Sequence, residues 1–450
     1  MDQSLFQQAI KIQNSTAIDI KKNEKDYAFT FIYPPSQVLY PLREGIFDNK
    51  EIKEANLYIH IPYCTGRCTY CYFGCYPLEK APISREDYVN TMVKEIELVS
   101  SKYGKVRISS VHFGGGTPTT LSNAQFDSIF NAIRKNFDVA DKLEITVESS
   151  PETLTEEKLE CLVKNGVNRL NIGIQTLNNE LLKSINRRHS ADKAIAGIRL
   201  AKKVGINNIN VDLIYGLYGQ TIEDWTSTLE SIFNEEVQSI STYRLRIHPS
   251  GNLKQQIVSF DETKAIEMYI TMLNMMKERG YYQCSSHKFA QKVEFAQKQI
   301  INKRGIGKDM LIPLGMSAYG YIEDILFWNA RTMDEYVEKI NSGRLPYSIG
   351  YELDKTEEMA KVCVLGIHNV GGIKLKKFRD KFDIDIMNVY GDLIKKLESN
   401  DLIEIDEESI KPSLLGMVFA DEIATQFYSK NVKEKLGDRK YGIFFDEILK

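Results

Sequence analysis

The sequence predicts an α/β fold in which six strand–helix units curl a parallel sheet into a partial barrel of the TIM type. From residue 56 onward, short apolar segments typical of strands alternate with longer segments whose apolar residues recur at helical spacing. The polar and glycine-rich motifs follow the strand-like segments, where the loops of such barrels carry function. We expect an N-terminal arm at residues 1–50, the barrel at 51–330, and a small helical, winged-helix-like domain at 331–450.

The first three strands are expected in the N-terminal half of the barrel sequence. The first is predicted at Leu57–Ile61, immediately before a cysteine-rich loop. Ser84 stands three residues before Asp87, a capping pattern that predicts the start of the first barrel helix. The second and third strands are predicted at Val106–Phe113 and Leu143–Val147, each followed by a helical pattern.

The remaining strands are predicted at Arg169–Ile174, Ile206–Ile214 and Ile240–Ile247. Helical patterns separate them, and a long helix is expected from Asp261 to Arg279. Helices between consecutive strands require the strands to run parallel, and this favours a sheet that curls into a partial barrel.

The segments outside the barrel have different compositions. Residues 1–50 mix aromatic and proline residues, which suits either an extended arm over a cleft or a packing extension. In the C-terminal part, Leu375, Phe378 and Phe382 stand at helical spacing. Two short runs, Leu402–Ile405 and Ser409–Pro412, are expected to form a small hairpin.

Composition narrows the functional class. The net charge of −3 gives no overall basic field, so we expect no nucleic-acid partner. The N-terminus lacks the pattern of a signal peptide, and no apolar run approaches the length of a membrane span. Three closely spaced cysteines among seven do not suggest a disulfide framework. We therefore expect a soluble cytoplasmic protein without a membrane partner.

The cysteine-rich loop carries Cys64, Cys68 and Cys71 in a C-x3-C-x2-C pattern. Three thiolates on one loop can hold three irons of a [4Fe–4S] cluster and leave the fourth iron open to a chelating molecule. A structural zinc site is the alternative, but it normally takes four ligands from two separated pairs, and here the nearest fourth thiol is Cys75. Three inert buried thiols within eight residues would be an unusual coincidence. The pattern therefore favours a cluster.

Further motifs follow the later strands. A glycine run, residues 114–118, follows the second strand and would let a ligand approach the backbone closely, although alone it also fits a tight turn. Glu148 follows the third strand, and it also fits a surface or capping role. Gln175, Arg187 and Asp212 lie at or beyond the next strands. Polar groups at the ends of apolar strands are costly to bury without a partner, which favours a bound polar ligand.

These sequence motifs together resemble those of one family. The letters Y-I-H-I-P-Y-C at residues 58–64, G-G-G-T-P at 114–118 and D-L-I-Y-G-L-Y-G-Q-T at 212–221 are similar to motifs of radical S-adenosylmethionine (radical SAM) enzymes. Within that superfamily the chain resembles the oxygen-independent coproporphyrinogen III oxidase-like (HemN-like) family. This family includes class C methyltransferases and anaerobic haem-degradation relatives, and the resemblance covers about residues 55–430.

The resemblance implies a set of site residues. Cys64, Cys68 and Cys71 would be the catalytic cysteines that hold the cluster. Contacts to SAM would come from Tyr58, Tyr70, Gly115, Gly116, Thr117, Glu148, Gln175, Arg187 and Asp212. Of these, Gln175, Arg187 and Asp212 would face a second SAM molecule. Arg246 and His287 are candidate substrate contacts, although His287 also fits a structural role.

Two positions depart from the family pattern. The oxidases carry an extra cysteine two residues after the third ligand, whereas Cys75 lies four residues after Cys71. We predict that Cys75 is structural or accessory. Tyr218 stands where the family usually has proline, a change expected to alter a turn without removing a ligand.

The resemblance also implies a reaction type. When reduced by one electron, the cluster would cleave SAM to a 5′-deoxyadenosyl radical, with the protein binding and orienting the reactants. Three outcomes stay open: radical C-methylation or methylene transfer to an sp2 carbon, oxidative decarboxylation of coproporphyrinogen III, and a haem chaperone without turnover. The apparent residues for a second SAM favour the enzymes, and the position of Cys75 argues against the oxidase. We predict one-carbon transfer to an aromatic or tetrapyrrole substrate, with a flavodoxin- or ferredoxin-type electron donor.

Overall fold

The computed structural model describes residues 2–18, 31–71, 73–245, 261–296 and 310–437. Within this part of the chain, thirteen strands form one continuous mixed sheet. Its centre consists of six strands that pair in sequence order, each parallel to the next. They are β1 (Glu54–Ile61), β2 (Arg107–Gly115), β3 (Asp138–Ser149), β4 (Arg169–Gln175), β5 (Ile209–Tyr215) and β6 (Ser239–Arg244). The predicted α/β class with a parallel core is confirmed.

Helices cover the outer face of the parallel strands. They are α1 (Arg85–Tyr103), α2 (Asn123–Asn136), α3 (Glu156–Lys164), α4 (Ala191–Lys203), α5 (Ile222–Asn234) and α6 (Glu262–Glu278). The predicted cap at Ser84 is present, because its side chain accepts a hydrogen bond from the backbone N–H of Asp87. Strand β5 begins at Ile209, later than the predicted Ile206. The reason is that Ile206 N–H bonds to the Ala201 carbonyl and completes the end of α4.

Further strands, most of them antiparallel to their neighbours, extend the sheet at both edges. Beside β1 lies Met310–Leu314, which is parallel to β1, followed by Tyr319–Ile322, Ile325–Asn329, Tyr347–Glu352 and Tyr40–Pro41. Beside β6 lie Lys288–Ala290 and Tyr282–Ser285. The sheet therefore includes residues on both sides of positions 50 and 330, and the domain boundaries placed there remain a prediction.

The C-terminal unit is mainly helical, and it contains the predicted small hairpin. Strands Ile403–Ile405 and Ser409–Pro412 pair with each other, and Ile373–Lys374 joins them. The α-helices of this unit and its approach are Met333–Asn341, Lys355–Ile367, Leu375–Phe382, Ile386–Glu398, Leu414–Val418, Ala420–Gln426 and Lys430–Gly437. Elsewhere the described chain contains helices Gln3–Gln13 and Asn179–Ser184, the strand pair Tyr63–Cys64 and Tyr76–Pro77, and short 3-10 turns. Among the described helices, none combines the length and apolar character needed to cross a bilayer.

The N-terminal arm is attached to the C-terminal unit by a buried polar network. The Tyr33 hydroxyl donates to Glu357 Oε2 at 2.5 Å and accepts from the backbone N–H of Ser429 at 3.2 Å. Tyr33 and Glu357 are almost fully buried. Because a buried carboxylate needs such partners, these bonds hold the arm against the helix Lys355–Ile367.

Glu95 on α1 joins three elements at the edge of the sheet. Its Oε2 accepts hydrogen bonds from Gly315 N–H and the Tyr336 hydroxyl, both at 2.7 Å, and its Oε1 accepts from Asn329 Nδ2 at 2.8 Å. Burial raises the pKa of Glu95 to about 8. Gly315 has φ of +96°, and a Cβ there would lie 2.6 Å from the His60 carbonyl oxygen. Only glycine therefore lets this loop approach the end of β1.

The raised pKa of Glu95 predicts a stability that depends on pH. The folded protein retains a proton on Glu95 up to about pH 8, whereas the unfolded chain releases it near pH 4.5. Stability should therefore fall as pH rises through this interval. In Glu95→Gln, which cannot titrate, we expect this contribution to disappear from urea unfolding curves measured across the interval.

The matched control is Glu97→Gln, an exposed position on the same helix. It should keep the pH dependence of the wild type. Glu95→Ala should be destabilised at every pH, because each buried donor left without a partner costs about 1–3 kcal/mol. An unchanged pH dependence in Glu95→Gln would contradict the assignment.

Candidate functional site

The three predicted cluster cysteines lie on a loop that closes on itself. Cys64 ends the short strand Tyr63–Cys64, which pairs with Tyr76–Pro77 beyond the loop. Tyr76 N–H donates to the Pro62 carbonyl at 2.7 Å and fixes the base of the loop. As a result, Cys64, Cys68 and Cys71 all line one cavity at the carboxyl ends of the parallel strands.

A fourth thiol lies behind this set. Cys75 is 6% exposed and forms hydrogen bonds with the thiols of Cys64 and Cys71. These bonds lower the pKa of Cys64 and, against the effect of burial, lower the pKa of Cys71 to about 7. They also raise the pKa of Cys75. The neighbouring Cys75 therefore favours the thiolate form, the form that binds iron, at Cys64 and Cys71.

Cys68 has a different environment. Burial raises the pKa of its thiol, and the Arg187 guanidinium opposes this effect. Arg187 Nη1 lies 3.5 Å from Cys68 Sγ and donates a hydrogen bond to it. A cation in this position would stabilise the thiolate form of Cys68.

The donor set fits an iron–sulfur cluster. The thiols of Cys64, Cys68 and Cys71 line one cavity, and in a cubane cluster three such thiolates each bind a separate iron. The neighbouring glycine run leaves room, since a Cβ on Gly116 would lie 2.6 Å from the Tyr63 carbonyl oxygen and 3.0 Å from Cys64 Sγ. Three cysteine thiols on an open backbone match the requirement of a [4Fe–4S] cluster.

Residues at the ends of β1, β2 and β3 form the next part of the wall. The Tyr58 hydroxyl is 3.0 Å from His60 Nδ1, and burial lowers the pKa of His60 to about 4. The ring of His60 occupies the space where a Cβ of Gly115 would be, at 2.7 Å. Glu148 Oε1 lies 2.9 Å from His112 Nε2. Sequence reasoning missed His112, although a histidine inside the apolar run of β2 was a usable signal.

Polar residues from β4 and β5 complete the inner wall. Gln175, at the end of β4, has φ of +72°, a conformation that costs energy for a residue with a side chain. Arg187 Nη2 donates to Ser150 Oγ at 2.7 Å and to the Gly173 carbonyl. Burial raises the pKa of Asp212 to about 6, although the Lys288 ammonium opposes this effect. Gln175, Arg187 and Asp212 all line the same cavity as the cysteines.

Glu152 connects the cysteine loop to this wall, and sequence reasoning missed it. It accepts a hydrogen bond from Thr65 Oγ1 at 2.8 Å and lies 3.5 Å from His189 Nδ1. Burial alone would raise its pKa, but the neighbouring His189 side chain and a hydrogen bond from Ser150 outweigh burial and lower the pKa to about 2. A fixed carboxylate therefore holds the loop that carries Cys64 and Cys68 against the loop after β3.

The far end of the cavity is formed by three separate parts of the chain. His287, 8% exposed, lies between Tyr243 and the arm residue Phe31, with ring centroids 5.4 and 4.4 Å away. Arg246, the other predicted substrate contact, lies outside the described residues. Its neighbour Arg244 forms ion pairs with Glu262 and, at 4.0 Å, with Glu422.

Cys64, Cys68 and Cys71 line one cavity of about 600 Å³ together with His287. Every predicted SAM-binding residue lines it: Tyr58, Tyr70, Gly115, Gly116, Thr117, Glu148, Gln175, Arg187 and Asp212. The arm contributes Phe31, and the C-terminal unit contributes Met417 and Asp421. The structure brings the predicted residues together, and their individual roles as ligands remain a prediction.

Comparison with known families matches two parts of the chain. Residues 58–232 match the Radical SAM superfamily, and residues 353–419 match the HemN C-terminal domain. The first range contains the cysteine loop and strands β2 to β5. The second contains the hairpin of the C-terminal unit.

Similar proteins carry two kinds of name. The heme chaperone HemW of Bacillus subtilis is 28% identical, over 82% of this chain and 98% of its own length. The oxygen-independent coproporphyrinogen III oxidase of Bradyrhizobium diazoefficiens is 30% identical, over 68% of this chain and 71% of its own length. The HemW of Buchnera aphidicola subsp. Schizaphis graminum is 31% identical, over 60% of this chain and 71% of its own length.

A solved structure supports the fold. Coproporphyrinogen III oxidase (HemN) from Escherichia coli superposes with a TM-score of 0.73 at 22% identity, over 84% of this chain and 90% of that chain. The superposition, the two family matches and the relatives agree with the cysteine set and the parallel core. The protein is thus a radical SAM enzyme whose cofactors are a [4Fe–4S] cluster and SAM, and the chain belongs to the HemN-like radical SAM family.

Proposed function

We propose that this enzyme transfers a one-carbon unit from SAM to an sp2 carbon of a planar aromatic or tetrapyrrole substrate. The observation that carries the proposal is the single cavity that joins the cysteine loop to an aromatic, charge-balanced far end. Radical chemistry needs a site where reactants are oriented and water is excluded. The arm, the sheet and the C-terminal unit together enclose such a site.

Cys64, Cys68 and Cys71 are proposed to hold the cluster, with the backbone at Gly115 and Gly116 free to contact the SAM bound beside it. When bound, the reduced cluster and this SAM supply a 5′-deoxyadenosyl radical. The chain's own contribution is positioning. Tyr58 and Glu148 line the same cavity as the cysteines, and each already contacts a histidine that fixes its orientation.

A second SAM is proposed to bind against Gln175, Arg187 and Asp212. These residues come from different strands and loops yet line one wall of the cavity. The Nε atom of Arg187 is buried and has no hydrogen-bond partner among the described groups. A buried guanidinium N–H without a partner is costly, so an anionic or polar ligand such as the SAM carboxylate would stabilise it. This supports a bound ligand at the wall.

Aromatic side chains of the cavity suit a planar ring. Tyr243, Tyr319 and Trp328 line the cavity, together with Phe31 and His287. Aromatic side chains pack favourably against the faces and edges of other rings. An sp2 carbon held in this region would face the part of the cavity that the cysteine loop closes.

The charge of the cavity wall favours one-carbon transfer over decarboxylation. In the described wall, Arg187, Arg188, Arg244 and Lys288 are matched by Glu148, Glu152, Asp212 and Asp421. Coproporphyrinogen III carries several propionate groups and would be stabilised by an excess of cations. A balanced wall suits a less anionic substrate. Arg244, the described cation of β6, is already paired with two carboxylates.

Oxidative decarboxylation is the second candidate, because a relative with 30% identity is named a coproporphyrinogen III oxidase. The name of the Bacillus subtilis relative, a heme chaperone, supports haem binding without turnover as a further outcome. The electron donor is proposed to be a flavodoxin- or ferredoxin-type protein of the cytoplasm. The free thiols of the seven cysteines are consistent with such a reducing compartment.

Product analysis separates these functions. The cluster is reconstituted anaerobically, and SAM and a one-electron reductant are added with coproporphyrinogen III, haem or no acceptor. We expect 5′-deoxyadenosine and S-adenosylhomocysteine to rise together in the presence of an acceptor, because one SAM supplies the radical and the other the one-carbon unit. Both products are quantified by mass spectrometry.

A Cys71→Ala variant, expected to lose the cluster, is the control for both products. If 5′-deoxyadenosine forms alone and coproporphyrinogen III loses carbon dioxide, the oxidase function is correct and the proposal is wrong. A tight haem complex with neither SAM product would instead establish the chaperone.

Asp212→Asn tests the proposed second SAM site. The amide keeps the size of the side chain but replaces one acceptor oxygen with a donor, so hydrogen bonds to SAM hydroxyl groups would be lost. We expect S-adenosylhomocysteine formation to fall by about tenfold or more, which is the effect of losing one hydrogen bond to a charged group. The formation of 5′-deoxyadenosine should change little. Asp380→Asn, an exposed change on the C-terminal unit, is the matched control. Equal loss of both products in Asp212→Asn would contradict a separate second site.

A further inference from the structure

Five side chains form a ring of hydrogen bonds that begins and ends on the cysteine loop. Thr65 Oγ1 donates to Glu152 Oε1 at 2.8 Å. The Ser150 hydroxyl donates to Glu152 Oε2 and accepts from Arg187 Nη2 at 2.7 Å. Arg187 Nη1 in turn donates to Cys68 Sγ at 3.5 Å. The chain itself closes the ring, because Thr65 and Cys68 lie on the same loop.

The chemistry of its members determines the direction of each hydrogen bond in this ring. The ionised carboxylate of Glu152 can only accept, so both hydroxyl groups must direct their protons to it. The oxygen of Ser150 is then available to accept, and the guanidinium of Arg187 can only donate. Burial would raise the pKa of Glu152, but the neighbouring His189 and Ser150 side chains lower it to about 2. The ring therefore contains one anion and one cation.

Further contacts hold the two sides of the ring in place. The Ser150 carbonyl accepts from Thr153 N–H at 2.9 Å and from Thr153 Oγ1 at 2.7 Å, and these bonds fix the loop after β3. On the cysteine loop, the Arg67 carbonyl accepts from Asn186 Nδ2 at 2.6 Å. The side chain of Glu152 is 18% exposed, so water competes little for its hydrogen bonds.

An ion pair beside a cluster ligand affects how readily the cluster accepts an electron. The reduction potential of an iron–sulfur cluster depends on nearby charge and on hydrogen bonds to its sulfur atoms. The contact of Arg187 with Cys68 supplies both and would raise the potential. Glu152, which is joined to Arg187 through Ser150, opposes this effect because its negative charge offsets the cation. A lower potential makes the reduced cluster a stronger one-electron donor.

We propose that Glu152 is a positioning residue of the cluster site, which keeps the reduction potential low through Arg187 and holds the cysteine loop through Thr65. This role rests on the proposed assignment of Cys64 and Cys68 as cluster ligands, and it applies whichever reaction follows. The sequence motifs assigned no role to Glu152 or Thr65. The charge of Glu152 and its bond to Thr65 have separate effects, so each can be tested alone.

The charge is tested by the midpoint potential of the reconstituted full-length protein. The potential is measured by titration with redox dyes and electron paramagnetic resonance, before SAM is added. We expect a more positive potential in Glu152→Gln, because the charge of Arg187 is then not offset. Arg187→Gln should shift the potential in the negative direction, because the cation and its bond to Cys68 are lost. Glu157→Gln, an exposed change at the start of α3, should keep the wild-type value.

A midpoint potential in Glu152→Gln that is equal to or below that of the wild type would overturn the inference. So would shifts of the same sign in Glu152→Gln and Arg187→Gln. A second test leaves Glu152 unchanged, so it decides the role of the ring even where Glu152→Gln does not assemble the cluster.

The bond to Thr65 is tested by the rate at which a chelator removes iron from the oxidised cluster. Thr65→Val keeps the shape of the side chain but removes the donor. We expect iron release to become about tenfold faster, the scale of losing one hydrogen bond to a charged group. Thr65→Ser retains the hydroxyl and should stay close to the wild type.

Thr69→Val is the matched control on the same loop. The Thr69 hydroxyl is buried and has no hydrogen-bond partner among the described groups, so this change removes no hydrogen bond and should leave the rate unchanged. Equal rates in Thr65→Val and Thr69→Val would overturn the role of Glu152. Both measurements precede the addition of SAM and acceptor. A wild type that holds its cluster but forms no S-adenosylhomocysteine would overturn the proposed function, and the potentials and rates would still decide the role of Glu152.

Discussion

Strands β2, β3, β4 and β6 end in a polar or glycine-rich segment at the same edge of the sheet, and the polar side chains there need partners because they are partly or fully buried. The ring of His60 fills the space beside Gly115, and Glu148 contacts His112. Arg187 spans from Ser150 to Cys68. This requirement gathers side chains from distant parts of the sequence around one cavity. Polar groups that protein partners satisfy only in part are then available to a bound ligand.

The enclosure of the cavity depends on elements outside the parallel core. Tyr33 attaches the arm to Glu357, and this places Phe31 over the imidazoles of His287 and His368. Glu95 holds the Gly315 loop against the end of β1. The site is thus supported from both edges of the sheet. Substitutions at either edge are expected to alter the shape of the cavity, because these few buried polar contacts hold its walls in place.

Local patterns were sufficient to predict the fold class and the cysteine set. Strand and helix periodicity located all six parallel strands, and an error such as the start of β5 arose where a helix end took up Ile206. The cysteine spacing and the motifs after the strands identified residues that the structure brings into one cavity. The residues of each strand, helix or motif are close together in the sequence, so the pattern that produces each one can be recognised from the sequence.

Tertiary contacts could not be predicted in the same way. Glu152 matters because it meets Thr65, which is far away in the chain, and Ser150 because it meets Arg187. Neither pair has a spacing or periodicity that links its members. The antiparallel strands at both edges of the sheet also depend on such long-range pairing. Arg246 lies outside the described residues, so its predicted contact with substrate remains a prediction.

The most direct test concerns the assignment of three cysteines, and not Cys75, to the cluster. Iron and sulfide are counted in anaerobically reconstituted wild type, Cys71→Ala and Cys75→Ala, and the reduced proteins are examined by electron paramagnetic resonance with and without SAM. We expect about four irons per chain in the wild type and in Cys75→Ala, a loss of the cluster in Cys71→Ala, and a spectrum that changes when SAM binds the open iron. Loss of the cluster in Cys75→Ala, or a spectrum that SAM leaves unchanged, would contradict the assignment.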